Sequence, residues 1–197
     1  MKEHRTRLFS IIAAAVLLIG VILTGCSGQD SAEAQVKADI ESMRAVELDS
    51  SVSSEIKSMM SEQGREYYDA FMDKAGNFDY KIMGSEEEND TAVVQVRITT
   101  YDFGSEYLKS WTEFLEQPGA ASEDGSSVYD TAALYETLFR NLSSLDKKEY
   151  IGYAEVECTR QNGGTWVTDA DSNRELHNAM LGGMLSEIGT LAGADEQ

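Results

Sequence analysis

One stretch in the middle of this chain predicts the fold class more firmly than any other. Between Thr91 and Tyr101, core-type apolar residues occupy every second position, namely Ala92, Val94, Val96 and Ile98. Successive side chains of a β-strand point to opposite faces of the sheet. The pattern therefore predicts a half-buried strand with one face in a core and the other in solvent.

A second alternating stretch precedes this strand. Phe78, Tyr80 and Ile82 alternate with polar residues, and the acidic segment Glu86–Asp90 follows them. We read the segment as the connection of a hairpin whose second strand begins near Thr91. Strands joined by so short a connection must run antiparallel.

A second hairpin is predicted near the C-terminus. The segment Tyr150–Arg160 alternates, with Ala154, Val156 and Cys158 on the inward side. The dipeptide Asn162-Gly163 is a strong two-residue turn signal, and Thr165–Thr168 is the return strand.

Apolar residues at helical spacing predict helices around these hairpins. The predicted helices span about 34–47, 49–74 with an interruption at Gly64, 105–116 and 127–146, followed by a last helix that a capping box at Ser172 and Glu175 begins. The predicted apolar stripes are Leu108, Trp111 and Leu115; Leu134, Leu138, Leu142 and Leu145; and Leu176, Met180, Met184 and Ile188.

Helices grouped around two hairpins predict an α+β fold. We expect a curved antiparallel sheet of about four strands, packed against N-terminal, inserted and C-terminal helices. One domain is predicted over residues 34–190, with 191–197 as a disordered tail.

The N-terminus has the pattern of a bacterial lipoprotein leader. Lys2, Arg5 and Arg7 precede an apolar run from Leu8 to Leu23, which is short for a membrane-spanning helix. The run closes on Leu23-Thr24-Gly25-Cys26, which looks like a lipobox. Small residues before the cysteine allow a peptidase to reach the bond between Gly25 and Cys26.

We predict that residues 1–25 are a signal peptide and that Cys26 is the lipidated residue. Two acyl chains are enough for stable anchoring, and residues 26–33 would form a short tether. The predicted location is the extracytoplasmic face of the cell membrane. The alternative is an ordinary signal peptide, or an anchor helix with an incidental cysteine. Lipidation would leave Cys158 as the single free thiol, so no intramolecular disulfide is expected.

The net charge excludes one class of partner. The chain carries 16 basic and 35 acidic residues and a formal net charge of −19. Removing the leader, with its three basic residues and Glu3, would leave −21. So acidic a protein has no basic stripe for nucleic acid, and it gains nothing from anionic headgroups.

Four segments carry a resemblance to a known group: Phe78–Ile82, Thr91–Val96, Thr100–Gly104 and Asn162–Val167. They resemble segments of small lipoproteins from Gram-positive, Clostridia-like bacteria, which are placed in the nuclear-transport-factor-like (cystatin-like) superfamily. The resemblance implies a cone-shaped domain in which a curved sheet wraps around N-terminal helices. It implies no site, because the function of that group is unknown. The helices near 105–116 and 127–146 depart from its strand order, and we expect them on the concave face or open edge of the sheet.

Cone-shaped domains can also hold enzymes. A site of the ketosteroid-isomerase type needs an acid and an oxyanion donor in an apolar pocket. The candidate groups are Tyr80, Tyr101, Tyr153, Asp79 and Asp102, although nothing in their spacing demands such a site. We therefore name no catalytic residue.

Two further residues have ordinary structural interpretations. His177 lies on the last helix without a nucleophile elbow to serve, so we expect a solvent-facing or partly buried residue. Cys158 is expected to be a small buried hydrophobe rather than a reactive thiol.

Two acidic segments could suggest a metal. Asp169, Asp171, Asn173 and Glu175 alternate as in a calcium loop, but Arg174 stands where that loop needs glycine. Helix capping explains the segment better, and Glu86–Asp90 is expected to be a solvated turn. No metal or cofactor is predicted.

Methionine is the one suggestive feature of the composition. Met43, Met59, Met60, Met72, Met180 and Met184 could line a pliable ligand cavity, although ordinary core filling is the explanation that we favour. We expect a non-catalytic binding or accessory module for an envelope protein, a peptide or a small apolar ligand. The alternatives are a pocket-based enzyme and a structural subunit of an envelope complex.

Overall fold

The computed structural model describes residues 31–45, 50–116, 130–161 and 164–192. The predicted leader and its lipidation site at Gly25 and Cys26 lie outside the described residues, as does the predicted turn at Asn162-Gly163.

Seven α-helices, one 3₁₀ turn and four strands make up the described part of the chain. In order they are α1 (Ala32–Ala45), α2 (Ser50–Ser58), α3 (Glu62–Ala75), β1 (Asp79–Glu88), β2 (Thr91–Thr100), α4 (Phe103–Glu116), α5 (Thr131–Ser144), β3 (Tyr150–Arg160), β4 (Trp166–Thr168), the 3₁₀ turn (Ala170–Ser172), α6 (Arg174–Met180) and α7 (Met184–Ala192).

The strands form one curved antiparallel sheet in the order β1-β2-β3-β4. This confirms the predicted α+β fold class. The first hairpin differs from its prediction, because β1 continues to Glu88 and only Asn89 and Asp90 form the turn. Asn89 has φ 56°, a left-handed conformation that asparagine tolerates and that tight hairpins require.

Two helices cover one face of the sheet. The inward series of β2 and β3 is buried as predicted, including Val94, Val96 and Val156. These side chains pack in one cluster with residues of α1 and α6, such as Ile40 and Leu176. A break in register between Ile82 and Gly84 places a β-bulge at Met83 and reverses the side-chain alternation of β1 beyond it.

The inserted helices pack beside the sheet. Helices α4 and α5 contact each other, and their other main partners are α3 and α7. Together with α2 they form a second apolar cluster that is rich in aromatic rings, for example Phe71, Phe103 and Phe139. The predicted position on the concave face or open edge is therefore not observed.

The buried stripe of α4 is rotated from its prediction. Leu115 is 41% exposed, whereas Trp111 is buried as predicted. Aromatic residues make the contact that the leucines were expected to make, namely Phe103, Tyr107 and Phe114. In α5 the predicted stripe is buried except at Leu145, which ends the helix.

Helix boundaries differ where side chains cap the backbone. Ser61 accepts a hydrogen bond from the Gly64 amide, so the chain breaks before Gly64 rather than at it. Asp130 caps α5 through the amides of Ala132 and Ala133, and the predicted start at Ser127 lies outside the described residues.

The predicted last helix is two helices. Asn173, rather than Ser172, caps α6 by accepting from the Leu176 amide. Gly182 and Gly183 then adopt φ 56° and 83°, which an α-helix cannot contain. The chain turns here and begins α7 at Met184.

Candidate functional site

The face of the sheet opposite α1 and α6 carries large exposed side chains. We call it the open face. Ile151 and Tyr153 of β3 are 54% and 67% exposed, and Met83 and Val167 are also exposed. A monomeric domain normally scatters exposed apolar groups, so this concentration on one sheet marks a candidate contact surface.

A groove crosses the open face at the level of the β1 bulge. It has a volume of about 440 Å³ and is lined by Met83, Gln95, Val96, Tyr153, Ala154, Glu155 and Glu175. The Gln95 amide lies 3.4 Å from a Glu155 carboxylate oxygen. The groove lining therefore contains two carboxylates and no basic side chain.

Strand β3 has a free edge beside this groove. It pairs with β2 along its whole length, but β4 pairs only with Cys158–Arg160. Toward the start of β3, the next two outward-directed backbone groups are bonded to side chains. The Glu157 amide donates to the Asp169 carboxylate, and the Asn173 side-chain amide donates to the Glu155 carbonyl. Among the described strands, none pairs with this side of Tyr150–Ala154.

The groups proposed for acid–base catalysis are dispersed. Tyr80 donates to Glu41 at 2.8 Å, and burial and this carboxylate raise its pKa to about 12. Asp79 forms an ion pair with Lys148 at 2.9 Å, and Asp102 accepts from the Ser105 amide.

Tyr101 and Tyr153 complete the set of catalytic candidates. Tyr101 lies in the helical cluster with the Lys74 ammonium 4.9 Å from its ring centre. Tyr153 alone reaches the groove. The five groups do not converge on one site.

The side chains of the calcium-like segment Asp169–Glu175 are mostly engaged in local hydrogen bonds. Asp169 accepts from the Glu157 amide at 2.9 Å and from Asn173 at 3.0 Å. Asn173 caps α6, and only Glu175 faces the groove. Across the described ranges, no group of three His, Cys, Asp or Glu side chains could hold a metal ion. In the other acidic segment, Glu87 pairs with Arg160 at 2.8 Å.

Cys158 behaves as the sequence predicts. It is buried, and its Sγ lies 3.7 Å from the Val156 carbonyl oxygen. Burial, followed by the charges of Asp169 and Asp39, raises its pKa to about 11. The thiol is therefore protonated and unreactive at neutral pH.

His177 is more buried than predicted, with only 3% of its surface exposed. Helix α6 lies between the sheet cluster and the helical cluster, so two of its sides are buried. The adjacent residues Leu176 and His177 are therefore both buried. Desolvation lowers the pKa of the imidazole, and the charge of Asp171 partly opposes the shift. Its Nε2 atom has no hydrogen-bond partner.

Three of the six methionines line one small cavity. It measures about 60 Å³ and is bounded by Met43, Arg44, Met72, Ala75, Gly76, Phe78, His177, Met180 and Leu181. Met59, Met60 and Met184 pack in the helical cluster instead. Three of these methionines therefore line a small cavity, and the other three fill the core as ordinary packing residues.

Comparisons with known proteins give no further guide to this site. No family profile, no curated protein and no solved structure matches the chain. In the parts of the chain that the structure describes, no helix has the length and apolar character needed to cross a bilayer.

Proposed function

We propose that this protein is a membrane-tethered binding module that acts outside the cytoplasm. Its partner is a basic, extended segment of an envelope protein, which adds as a strand to the free edge of β3. The single observation that carries this proposal is the combination, on one strand, of an unpaired edge with the exposed side chains of Ile151 and Tyr153.

The backbone of β3 supports strand addition. In an antiparallel strand, alternate residues direct their N–H and C=O groups to the same side. Glu155 and Glu157 direct theirs away from β2, as their bonds to Asn173 and Asp169 demonstrate. By this alternation, the backbone groups of Ile151 and Tyr153 face the same way and can pair with an added strand.

The charge of the surface selects the partner. The groove beside the edge carries Glu155 and Glu175, and the chain as a whole has a net charge of −19, whereas Arg97 and Lys81 lie on the same face in the row of Tyr153. A lysine or arginine of the added segment would meet these carboxylates at the end of the edge beside Glu155. The apolar side chains of the segment would pack on Tyr153 and Met83.

Photo-crosslinking in intact membranes tests this docking surface. A benzophenone amino acid would replace Tyr153, and a control would replace Leu115, which is also exposed but lies on α4. We expect a defined adduct from position 153 only, joined to a lysine- or arginine-bearing segment of an envelope protein. An equal yield at position 115, no adduct at 153, or adducts with acidic segments would overturn the proposal.

The tether in this proposal is supported by the sequence alone, through the lipobox that ends at Cys26. The variant Cys26→Ser removes the thiol that would accept the diacylglyceryl group. We expect it to stay uncleaved and unlabelled by a fatty-acid analogue, whereas Cys158→Ser keeps the label. Label on the Cys26→Ser variant would refute the anchor without bearing on the β3 edge.

A further inference from the structure

The free edge of β3 is short and closed at one end. The backbone groups that remain free on the side away from β2 belong to Ile151 and Tyr153. The next carbonyl on this side, that of Glu155, already accepts from the Asn173 side-chain amide at 2.7 Å. An added strand can therefore pair its backbone with Ile151 and Tyr153, and it must leave the sheet beside Glu155.

The length of this edge favours one strand direction. In an antiparallel ladder, opposed residues exchange both of their hydrogen bonds, so a segment of about three residues can satisfy the free N–H and C=O groups of Ile151 and Tyr153. A parallel segment needs about five residues for the same bonds, because they are slanted, and it would extend along Ala154 toward Asn173. The neighbouring strands of the sheet all pair antiparallel. An antiparallel segment therefore fits the edge better.

Negative charge is concentrated at the closed end of the edge. The groove there is lined by the carboxylates of Glu155 and Glu175 and by no basic side chain. At the other end, Glu149 follows Lys147 and Lys148 in the chain, so this end has no excess of negative charge. The edge is therefore electrostatically asymmetric along its length.

The middle of the edge disfavours a basic residue. Tyr153 lies opposite Arg97 of β2, which lies opposite Lys81 of β1. All three side chains are on the open face, since they alternate with the more buried positions of their strands. A base beside Tyr153 would extend this row of positive charge, and neighbouring like charges destabilise a sheet. An apolar side chain can instead pack on the exposed ring of Tyr153.

We infer that the partner segment runs antiparallel to β3 and has the pattern basic-x-apolar-x-apolar, read from its N-terminal end. Alternate side chains of a strand share one face, so these three side chains lie together on the open face. The basic side chain lies opposite Glu155, in the groove that Glu175 also lines. The two apolar side chains pack beside Tyr153 and Ile151. This inference rests on the proposed function and deepens it by fixing the direction of the segment and the position of its charge.

A second copy of this chain does not fit the pattern. The segment Tyr150–Ala154 contains no charged residue. Antiparallel pairing of two such edges about Gly152 would place Glu149 of each copy opposite Glu155 of the other. Opposed like charges destabilise a ladder, so the edge selects against pairing with itself.

Three peptides of one composition test the pattern on the full chain purified in detergent. With both termini blocked, they are Lys-Thr-Val-Thr-Val, Val-Thr-Val-Thr-Lys and Val-Thr-Lys-Thr-Val. The first places lysine opposite Glu155 in the antiparallel direction, the second does so only in the parallel direction, and the third places lysine opposite Tyr153. We expect the first to slow amide exchange at Ile151 and Tyr153 with an affinity about fivefold higher than that of either isomer.

A nitroxide label reports the direction of the segment independently of affinity. Attached to the N-terminus of the first peptide, it should broaden the ε-methyl signal of Met83, which lines the groove with Glu155. Attached to the C-terminus, it should broaden the amide signal of Glu149 instead.

Variants connect the preference to the two carboxylates. The double variant Glu155→Gln and Glu175→Gln should bind the three peptides equally. The matched control is Glu86→Gln with Glu88→Gln, which removes the same charge from exposed residues of β1 outside the groove. We expect this control to keep the preference of about fivefold for the first peptide.

Equal protection by the three peptides would overturn the pattern and leave the β3 edge as the docking site. A preference for the second peptide, or broadening of Met83 by the C-terminal label alone, would establish the parallel direction and also overturn the inference. Slow exchange at both amides without peptide, increasing with protein concentration, would assign the edge to a second copy. Protection of neither amide by any peptide would overturn the proposed function and this inference with it.

Discussion

Gly182 lies directly against the backbone of Tyr101. A Cβ atom built on Gly182 would fall 2.0 Å from the Tyr101 carbonyl oxygen, and the Gly182 carbonyl accepts from the Gly104 amide at 2.9 Å. The turn between α6 and α7 therefore packs directly against the backbone at the start of α4. This contact ties the sheet cluster to the helical cluster.

Gly182→Ala is expected to destabilise the protein strongly, because the added methyl group collides with backbone that cannot move aside. Gly164→Ala is the matched control, since Gly164 also has a positive φ of 87° but nothing lies within 4 Å of its Cβ position. Strain in the left-handed region alone costs about 1–2 kcal/mol. Urea unfolding should give a clearly larger loss for Gly182→Ala, and equal losses would contradict the close contact.

Trp166→Ala should lower the free energy of unfolding by about 3–5 kcal/mol. Trp166 is buried in the sheet cluster, and the guanidinium carbon of Arg160 lies 4.5 Å from its ring centre. Val167→Ala changes the adjacent, exposed residue and should cost little. Thermal melts of both variants measure the difference, and an unshifted melting temperature for Trp166→Ala would mean that the indole does not pack in the core.

Tyr107→Phe is expected to leave stability unchanged or raise it by about 1 kcal/mol. The Tyr107 hydroxyl is buried without a hydrogen-bond partner, so its removal relieves a desolvation cost. Tyr80→Phe is the contrasting variant, because it deletes a hydrogen bond to Glu41. The denaturant midpoint should fall for Tyr80→Phe. For Tyr107→Phe it should stay the same or rise. A large loss in Tyr107→Phe would reveal a partner for the phenol.

His177 should make the protein less stable in mild acid. Burial holds the pKa of the folded imidazole below its ordinary value of 6.5, despite the opposing charge of Asp171, while the unfolded chain takes up a proton near 6.5. The neutral imidazole therefore makes its full contribution to the free energy of unfolding above pH 6.5. That contribution is lost as the pH falls toward the pKa of the folded state.

The comparison of wild type with His177→Phe isolates this effect from the acidic residues. We expect the difference in unfolding free energy between pH 7.5 and pH 5 to shrink in the variant. Identical pH profiles would show that His177 takes up its proton equally easily in the folded and unfolded chain.

The sheet was predictable because its information is local. The alternation at Ala92 to Ile98 fixes which side chains point inward, and burial follows it residue by residue. The helix ends were less predictable, since Ser61, Asp130 and Asn173 compete with neighbouring polar residues for the same capping role. Gly182-Gly183 was the available signal for the break in the last helix.

The candidate sites depend on packing that a sequence pattern does not encode. The free edge of β3 exists because β4 is only three residues long. The short return strand predicted over Thr165–Thr168 came close to this, but the sequence does not indicate that no other strand pairs with the rest of the β3 edge. His177 is buried because α6 lies between two clusters, which periodicity on one helix cannot predict. The methionines by themselves favoured ordinary core filling, and the lining of the small cavity depends on the meeting of α1, α3 and α6.

Amide hydrogen exchange at β3 tests the central claim, that an extended basic segment adds to this edge. The probe is a peptide of alternating lysine and valine, compared with the same peptide N-methylated at the residues that would pair with β3. The account predicts that the first peptide slows exchange at the amides of Ile151 and Tyr153 and that the methylated peptide does not. Unchanged exchange at these two amides under saturating peptide, or equal protection by both peptides, would contradict it.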